Sequence, residues 1–250
     1  MSELVVVKYG GSVLKDAESF RAAAEYQFRR SPIAVVSAQQ DFTNLFMDVY
    51  NAGAEAYLPT IRDLYHKSAK LLPQILQKQT MSVIDREMEF LRAYLDIGAN
   101  DAFVGSPEGH SAILFSSYIV AQGGDAEYLT GPTAGFVLND HGWVDMEASR
   151  QTLSELGKKV AKDKIIVVGG YLGRHHKTKA HIAGARNIND AFAAALADAL
   201  NATAVEIVKD VPGVYRVPPE FGDHGLIETL SYAEASKMSW RGSQLSIHKR

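Results

Sequence analysis

Short hydrophobic runs alternate with helix-like segments along this chain. Four runs rich in valine or isoleucine lie between turn or polar residues and predict buried strands at Leu4–Lys8, Ile33–Ser37, Lys164–Val168 and Ala204–Val208. Between them, apolar positions recur at helical spacing in segments at about 17–29, 43–52, 108–122, 147–161 and 190–200. This alternation predicts an α/β fold, a three-layer αβα sandwich with a mostly parallel central sheet.

Three segments depart from the alternation. Residues 58–98 carry two helix patterns without a strand between them, Leu58–Gln77 and Ser82–Ile97, an insertion that could form a lid or an oligomer contact. A hairpin predicted at 136–145 divides one continuous domain into two lobes, about 1–145 and about 146–250. Residues 169–189 are predicted to form a long loop, a kind of segment that is usually functional or disordered.

Composition narrows the class of protein. The chain has 250 residues, of which 46% are hydrophobic, with 26 basic and 29 acidic side chains, as in ordinary globular proteins. A net charge of −3 gives no reason to expect nucleic acid or a membrane surface as a partner. Without cysteines, a basic leader or a long apolar run, the chain is expected to be soluble and cytoplasmic.

The exit of the first strand has the features of a phosphate site. There Lys8 is followed by Gly10, Gly11 and Ser12, and glycines allow main-chain N–H groups to approach an anion beside an ammonium. Taken alone, such a segment is more often a tight turn with an exposed lysine. Its spacing matches neither of the two commonest nucleotide-binding glycine motifs.

Six segments, in order along nearly the whole chain, resemble the catalytic domain of the aspartokinases, in the amino-acid kinase family. They are Lys8-Tyr9-Gly10-Gly11-Ser12-Val13, Val35-Val36-Ser37-Ala38 with Thr43 downstream, Glu108-Gly109-His110-Ser111-Ala112, Gly170-Tyr171-Leu172-Gly173, Arg186-x-x-x-Asp190-x-x-Ala193, and Glu206 to Tyr215. The resemblance implies the amino-acid kinase fold and ATP-dependent phosphorylation of the side-chain carboxylate of aspartate or a close analogue. It also implies that Mg²⁺ is carried with ATP.

The resemblance further implies roles for individual residues. The catalytic residues would be Lys8 and Asp190, with no metal ligand. The substrate-binding residues would be Ser37, Thr43, Glu108, Arg186 and Asp190. The nucleotide-binding residues would be Lys8, Gly10, Gly11, Ser12, Lys209, Asp210 and Tyr215. A cation at Lys8 would neutralise the transferring phosphoryl group, and Arg186 would supply a bidentate fork for the α-carboxylate. Local interpretations stay open, since Asp190 could cap a helix and Ser106-Pro107-Glu108 could begin one.

Because of two departures from the family pattern, two alternative functions stay open. The chain has Asn187-Ile188-Asn189 where the family has Gly-Gly-Ser, and Gln244 where it usually has lysine. One alternative is therefore an enzyme of this fold with a different carboxylate or phosphate acceptor. The other is a degenerate, non-catalytic subunit that binds amino acid or ATP.

Three further expectations concern regulation, oligomeric state and metal binding. The chain stops at Arg250, about where the family continues into regulatory domains, so control would be absent or come from a separate regulatory chain. The resemblance also implies a homodimer or higher homo-oligomer. The histidines His175, His176 and His181, with nearby lysines, could indicate metal or phosphate binding, but no carboxylate cluster accompanies them, which favours a solvated basic loop.

Overall fold

A computed structural model describes residues 3–52, 58–160, 164–185, 187–216 and 225–240. The chain divides into two compact units, Met1–Val208 and Lys209–Arg250. The predicted lobe boundary near residue 145 lies inside the first unit, and the division into those two lobes stays a prediction. In the second unit, the described residues include a bridge between Tyr215 and Leu226 and one helix.

The first unit is built on a central parallel sheet. Its strands and those of a smaller sheet are β1 (Val5–Tyr9), β2 (Ile33–Val36), β3 (Ala126–Thr130), β4 (Val137–Leu138), β5 (Ile165–Gly169), β6 (Leu172–His175), β7 (His181–Ala183) and β8 (Ala204–Val208). The larger sheet has the order β3-β5-β2-β1-β8, and all its neighbouring strands are parallel. The four predicted strands are confirmed to within one residue at each end, whereas β3 was not predicted.

Helices cover both faces of this sheet. They are α1 (Ala17–Arg30), α2 (Phe42–Ala52), α3 (Leu58–Ser68), α4 (Gln74–Asp96), α5 (Asn100–Ala121), α6 (Gly131–Ala134), α7 (Met146–Ser154), α8 (Leu156–Val160) and α9 (Asn189–Leu200). The helix of the second unit is α10 (Tyr232–Trp240). Because successive strand side chains point to opposite faces, Val7 and Val36 join one apolar core with α1 to α5, while Val6 and Val35 join another with α7 to α9. The predicted three-layer sandwich is confirmed.

The helical insertion at 58–98 is present, but its helices break at a different place. The first helix ends at Ser68 rather than near Gln77, and α4 begins directly after Pro73. Apolar residues continue the helical spacing through the gap, which explains the error. Proline disfavours helical geometry in the residue before it, so the chain must turn there.

Another large difference in a helix boundary concerns α5. This helix begins at Asn100, eight residues before the predicted start, and Pro107 lies inside it. Proline has no N–H to donate to the carbonyl of Phe103, and the Ser106 hydroxyl donates to that carbonyl instead, at 2.7 Å. The interpretation of Ser106-Pro107-Glu108 as a helix opening is therefore wrong, and Glu108 lies within a buried helix.

The predicted long loop at 169–189 is also wrong, because it contains the antiparallel pair β6 and β7. Strand β6 pairs in parallel with β4 in a second, three-stranded sheet.

The predicted hairpin at 136–145 is confirmed by a bridge between Leu138 and Val144. Its turn carries Asp140, which contacts His175 and His176, so a single carboxylate, although no carboxylate cluster, accompanies two of these histidines. Among the described residues, no helix is long and apolar enough to cross a membrane.

Candidate active site

A buried ion pair joins the first strand to a helix that comes 180 residues later. Lys8 Nζ in β1 lies 2.8 Å from Asp190 Oδ1 in the first turn of α9, and the two side chains are only 8% and 9% exposed. The helix itself begins without a side-chain cap. The interpretation of Asp190 as a capping residue is therefore wrong, since its carboxylate faces the ammonium of Lys8. Breaking a buried pair by removing one partner is strongly destabilising.

Asn189, next to this pair, links two other predicted site residues. Its Nδ2 donates to Ser37 Oγ at 3.0 Å, and its side-chain amide also hydrogen-bonds Glu108. A Cβ on Gly170 would lie 2.2 Å from Asn189 Oδ1, so only glycine leaves room for this carboxamide. Asn189 was noted in the sequence as a departure from the family pattern but was not predicted as a site residue.

Glu108 is a buried carboxyl group with an incomplete set of partners. It is 4% exposed, and burial raises its pKa to about 8, although hydrogen bonds with its own backbone, the Ala38 backbone and Asn189 act in the opposite direction. Among the described residues, Glu108 Oε2 and Asn189 Oδ1 have no hydrogen-bond partner, and the only contact of Asp190 Oδ1 is its ion pair with Lys8. Glu108 Oε2 and Asn189 Oδ1 are therefore buried acceptors that lack a donor among the described residues.

The cluster lies at the carboxyl ends of the central strands. Lys8 is the penultimate residue of β1, Ser37 directly follows β2, and Gly170 directly follows β5. In open parallel sheets, ligands bind outside the carboxyl ends of the strands, where the chain can present loops and helix starts. The arrangement therefore has the position as well as the charges of a binding site for a charged small molecule.

The glycine turn after β1 packs closely against the chain after β2. The Gly10 N–H donates to the Val208 carbonyl at 3.2 Å, and a Cβ on Gly10 would lie 3.9 Å from Lys8 Nζ and 3.8 Å from Ser12 Oγ. A Cβ on Gly11 would lie only 2.6 Å from the Ala38 carbonyl oxygen. The two glycines therefore differ in the room that they leave.

This difference predicts unequal effects of the same substitution. Gly11→Ala should destabilise the protein by about 1–3 kcal/mol, because backbone atoms must move to admit the methyl group. Gly10→Ala is the matched control, since its new Cβ would meet only ordinary contacts of 3.7 Å or more, and should cost much less. Urea unfolding of the two variants measures the difference, and equal losses of stability would contradict the close approach at Gly11.

The family of the chain is decided by a match along almost its whole length. A family model described as the amino acid kinase family matches residues 3–249. The chain belongs to the amino acid kinase family. Among its curated relatives, an aspartokinase of Corynebacterium glutamicum is 27% identical over 251 residues, which cover 98% of this chain and 50% of the relative. The lysine-sensitive aspartokinase 3 of Escherichia coli is 25% identical, with 98% and 58% covered.

Solved structures agree on the fold of this member of the amino acid kinase family. A structure of E. coli aspartokinase III in complex with aspartate and ADP has a TM-score of 0.82 at 24% identity and covers 95% of this chain and 56% of that one. An isopentenyl phosphate kinase has a TM-score of 0.56 at 17% identity, with 95% and 84% covered. The chain spans about half the length of the curated aspartokinases from C. glutamicum and E. coli.

The remaining predicted site residues lie at several places in the chain. Thr43 is half-buried in the first turn of α2 and, within the described part of the chain, makes no hydrogen bond to Lys8, Glu108 or Asp190. Arg186 and Gln244 lie outside the described residues. The nucleotide-binding candidates Lys209, Asp210 and Tyr215 belong to the second unit, where Lys209 and Asp210 are exposed. The predicted roles of these residues stay predictions.

Proposed function

We propose that this chain is an ATP-dependent kinase that phosphorylates the side-chain carboxylate of aspartate or a close analogue, giving an acyl phosphate and ADP. The observation that carries the proposal is the buried pair of Lys8 and Asp190 beside Glu108 at the carboxyl edge of the sheet. The names of its relatives in the amino acid kinase family give the substrate class, since two of them are aspartokinases.

The chemistry of a carboxylate acceptor fits a site built around a lysine. An aspartate side chain has a pKa of about 3.9 and is already ionised at neutral pH, so the reaction needs no strong base. The obstacle is the repulsion between this anion and the phosphates of ATP. Lys8 would stand between them and stabilise the charge of the transferring group. Before substrates bind, Asp190 would hold the ammonium of Lys8 in place.

The buried acceptors would recognise the amino group of the substrate. Glu108 Oε2 and Asn189 Oδ1 lack partners among the described residues, and an α-ammonium offers up to three N–H donors. Its positive charge would also favour ionisation of Glu108, whose pKa is raised to about 8 by burial. Ser37 and Thr43 would add hydroxyl contacts, and Arg186 would pair with the α-carboxylate through two parallel hydrogen bonds.

ATP would supply the phosphoryl group and carry Mg²⁺ to the site. Mg²⁺ prefers oxygen ligands and is often held by one or two carboxylates together with substrate phosphates. The carboxylate of Asp190 fits that requirement and would hold the ion, which supplies further positive charge against the phosphates. On the protein side, we assign nucleotide contacts to Gly10, Gly11 and Ser12, which follow the lysine-bearing strand β1. We also propose a cytoplasmic homodimer or higher homo-oligomer.

An acyl phosphate assay tests the proposal directly. Purified protein with ATP, Mg²⁺ and aspartate should form an acyl phosphate that hydroxylamine traps as a hydroxamate, and Asp190→Asn should reduce the rate. Glutamate and N-acetylaspartate serve as matched substrates, because the first has one more methylene and the second lacks the α-ammonium. Activity with another acceptor and none with aspartate would contradict the proposed substrate. Inactivity with every acid tested, together with thermal stabilisation by ATP, would indicate a non-catalytic subunit instead.

A further inference from the structure

We propose that Asp140, His175 and His176 form a binding site for a divalent transition-metal ion of the zinc type, separate from the candidate active site. One ligand atom from each of these residues lies within 4.8 Å of the other two. The carboxylate comes from one hairpin and both imidazoles come from another, 35 residues later in the chain. The proposal is independent of the proposed kinase activity.

Backbone hydrogen bonds hold the two hairpins side by side. In the first turn, Asn139 Oδ1 accepts from the N–H groups of His141 and Trp143, at 2.9 and 3.1 Å, which constrains the backbone around Asp140. The His176 N–H donates to the Leu138 carbonyl at 2.9 Å, directly across from the turn. The three candidate ligands are therefore carried by paired backbone rather than by an isolated loop.

Both imidazoles are directed at the same carboxylate oxygen. The Nε2 atoms of His175 and His176 each lie 2.9 Å from Asp140 Oδ1, with the two side chains 16% and 27% exposed. A metal ion could replace the hydrogen atoms that these groups now share. The exchange requires each histidine to present an unprotonated Nε2 to the ion.

Thr178 allows His175 to make that change. The Thr178 hydroxyl lies 3.0 Å and its backbone N–H 3.2 Å from His175 Nδ1. With the present arrangement, the backbone N–H donates to Nδ1 and leaves the imidazole proton on Nε2. In the other tautomer, Nδ1 would lose the hydrogen bond from the backbone N–H and would instead donate to the Thr178 hydroxyl, and Nε2 would be free for the ion. Metal-binding histidines are commonly oriented by such a partner on the second ring nitrogen.

The distances require only small side-chain movements. With bonds of about 2.0–2.1 Å in a tetrahedron, neighbouring ligand atoms are about 3.3 Å apart, compared with 2.9 Å for each Nε2–Oδ1 contact and at most 4.8 Å within the set. Lys177 competes for the carboxylate, because its Nζ lies 2.6 Å from Oδ2. That lysine is 66% exposed and leaves Oδ1 to the histidines, so it can withdraw into solvent.

The ligand set selects the class of ion. Two imidazoles with one carboxylate suit Zn²⁺, Co²⁺ or Ni²⁺, whereas Mg²⁺ and Ca²⁺ prefer sites made entirely of oxygen. Three protein ligands leave a fourth position for water. Asp140 and His175 also line a surface pocket together with Asp101 and Gly184, so solvent can reach the cluster.

Calorimetric titration of the full, tag-free chain with Zn²⁺ tests the site. We expect one equivalent to bind at this cluster, and Co²⁺ should give the intense visible absorption of a tetrahedral centre. His176→Ala and Asp140→Asn should each raise the Kd by about tenfold or more. Lys177→Gln should lower the Kd, because it removes the cation that competes for Asp140. Millimolar Mg²⁺ should not displace the Zn²⁺.

His181→Ala is the matched control. This histidine lies in the same small sheet, opposite Arg174 in the pairing of β6 and β7, and is not part of the cluster. Its replacement should leave the Kd unchanged, and thermal unfolding of every variant without metal verifies that it folds. An unchanged affinity in His176→Ala, an equal loss in His181→Ala, or a weak octahedral Co²⁺ spectrum would each overturn the assignment.

Discussion

Replacing Lys8 by methionine should lower kcat for acyl phosphate formation by about a hundred- to a thousandfold. The methionine keeps most of the length and apolar volume of the lysine stem but removes the ammonium, so the phosphates and the acceptor carboxylate would meet without the charge between them. The trapped hydroxamate measures the rate. A kcat within tenfold of the original would contradict the proposed role of Lys8.

The same change should also weaken the fold, and a second substitution separates the two effects. Lys8→Met leaves the buried carboxylate of Asp190 without its partner, at a cost of about 3–5 kcal/mol. Adding Asp190→Asn removes that uncompensated charge, and we expect the double variant to recover much of the lost stability in urea unfolding. Its activity should stay low. Recovery of both properties would show that Lys8 matters only for folding.

Glu108→Gln should raise KM for aspartate by about a hundredfold, with a smaller change in kcat. The variant keeps the shape and most hydrogen bonds of the side chain but removes the negative charge that we assign to the α-ammonium, and a charge-assisted hydrogen bond is worth about 1.5–3 kcal/mol. N-Acetylaspartate provides the comparison, because its acetylated nitrogen carries no positive charge for Glu108 to bind. An unchanged KM for aspartate would exclude Glu108 from substrate recognition.

The stability of the original protein should fall over the pH range in which Glu108 titrates. In the folded protein the pKa of Glu108 is raised to about 8, whereas the usual value is 4.5. Between these values the folded state retains a proton that the unfolded state has lost, so the free energy of unfolding falls as pH rises from 4.5 to 8. The loss that comes from Glu108 is on the order of 3–5 kcal/mol.

Glu108→Gln has no proton to lose at this position, so it should be more stable than the original protein at pH 8 and similar to it below pH 4.5. Urea unfolding of both proteins across this range gives the difference, in which the contributions of all other titrating groups cancel. A constant difference between the two proteins would show that Glu108 titrates normally in the folded state.

The central sheet could be predicted from the sequence because its signals are local. Strands such as β2 and β5 are buried on both faces and consist of uninterrupted apolar residues. Strand β3, at the edge, has the mixed sequence Ala-Glu-Tyr-Leu-Thr and half-buried side chains, so its composition does not distinguish it from a loop. Its pairing with β5 decides its conformation, and that partner comes 35 or more residues later.

The errors at the site have the same origin. The motif Ser106-Pro107-Glu108 has the local features of a helix start, but packing extends the helix over it and the Ser106 hydroxyl replaces the missing N–H. The convergence of Lys8 and Asp190 was predicted through the family resemblance, and the structure brings these two residues together. Asn189 and the contact of Asp140 with two histidines depend on the tertiary arrangement, and nothing in their immediate sequence indicates it.

The strand order has a consequence for how the protein is made. Strand β1 lies between β2 and β8, and thus pairs with the last strand of its unit, about 200 residues later. On the ribosome, one edge of β1 therefore stays unpaired until β8 has emerged. An apolar strand with an unpaired edge can pair with strands of neighbouring chains. Chaperone dependence during synthesis should therefore be greatest before residue 208 leaves the exit tunnel.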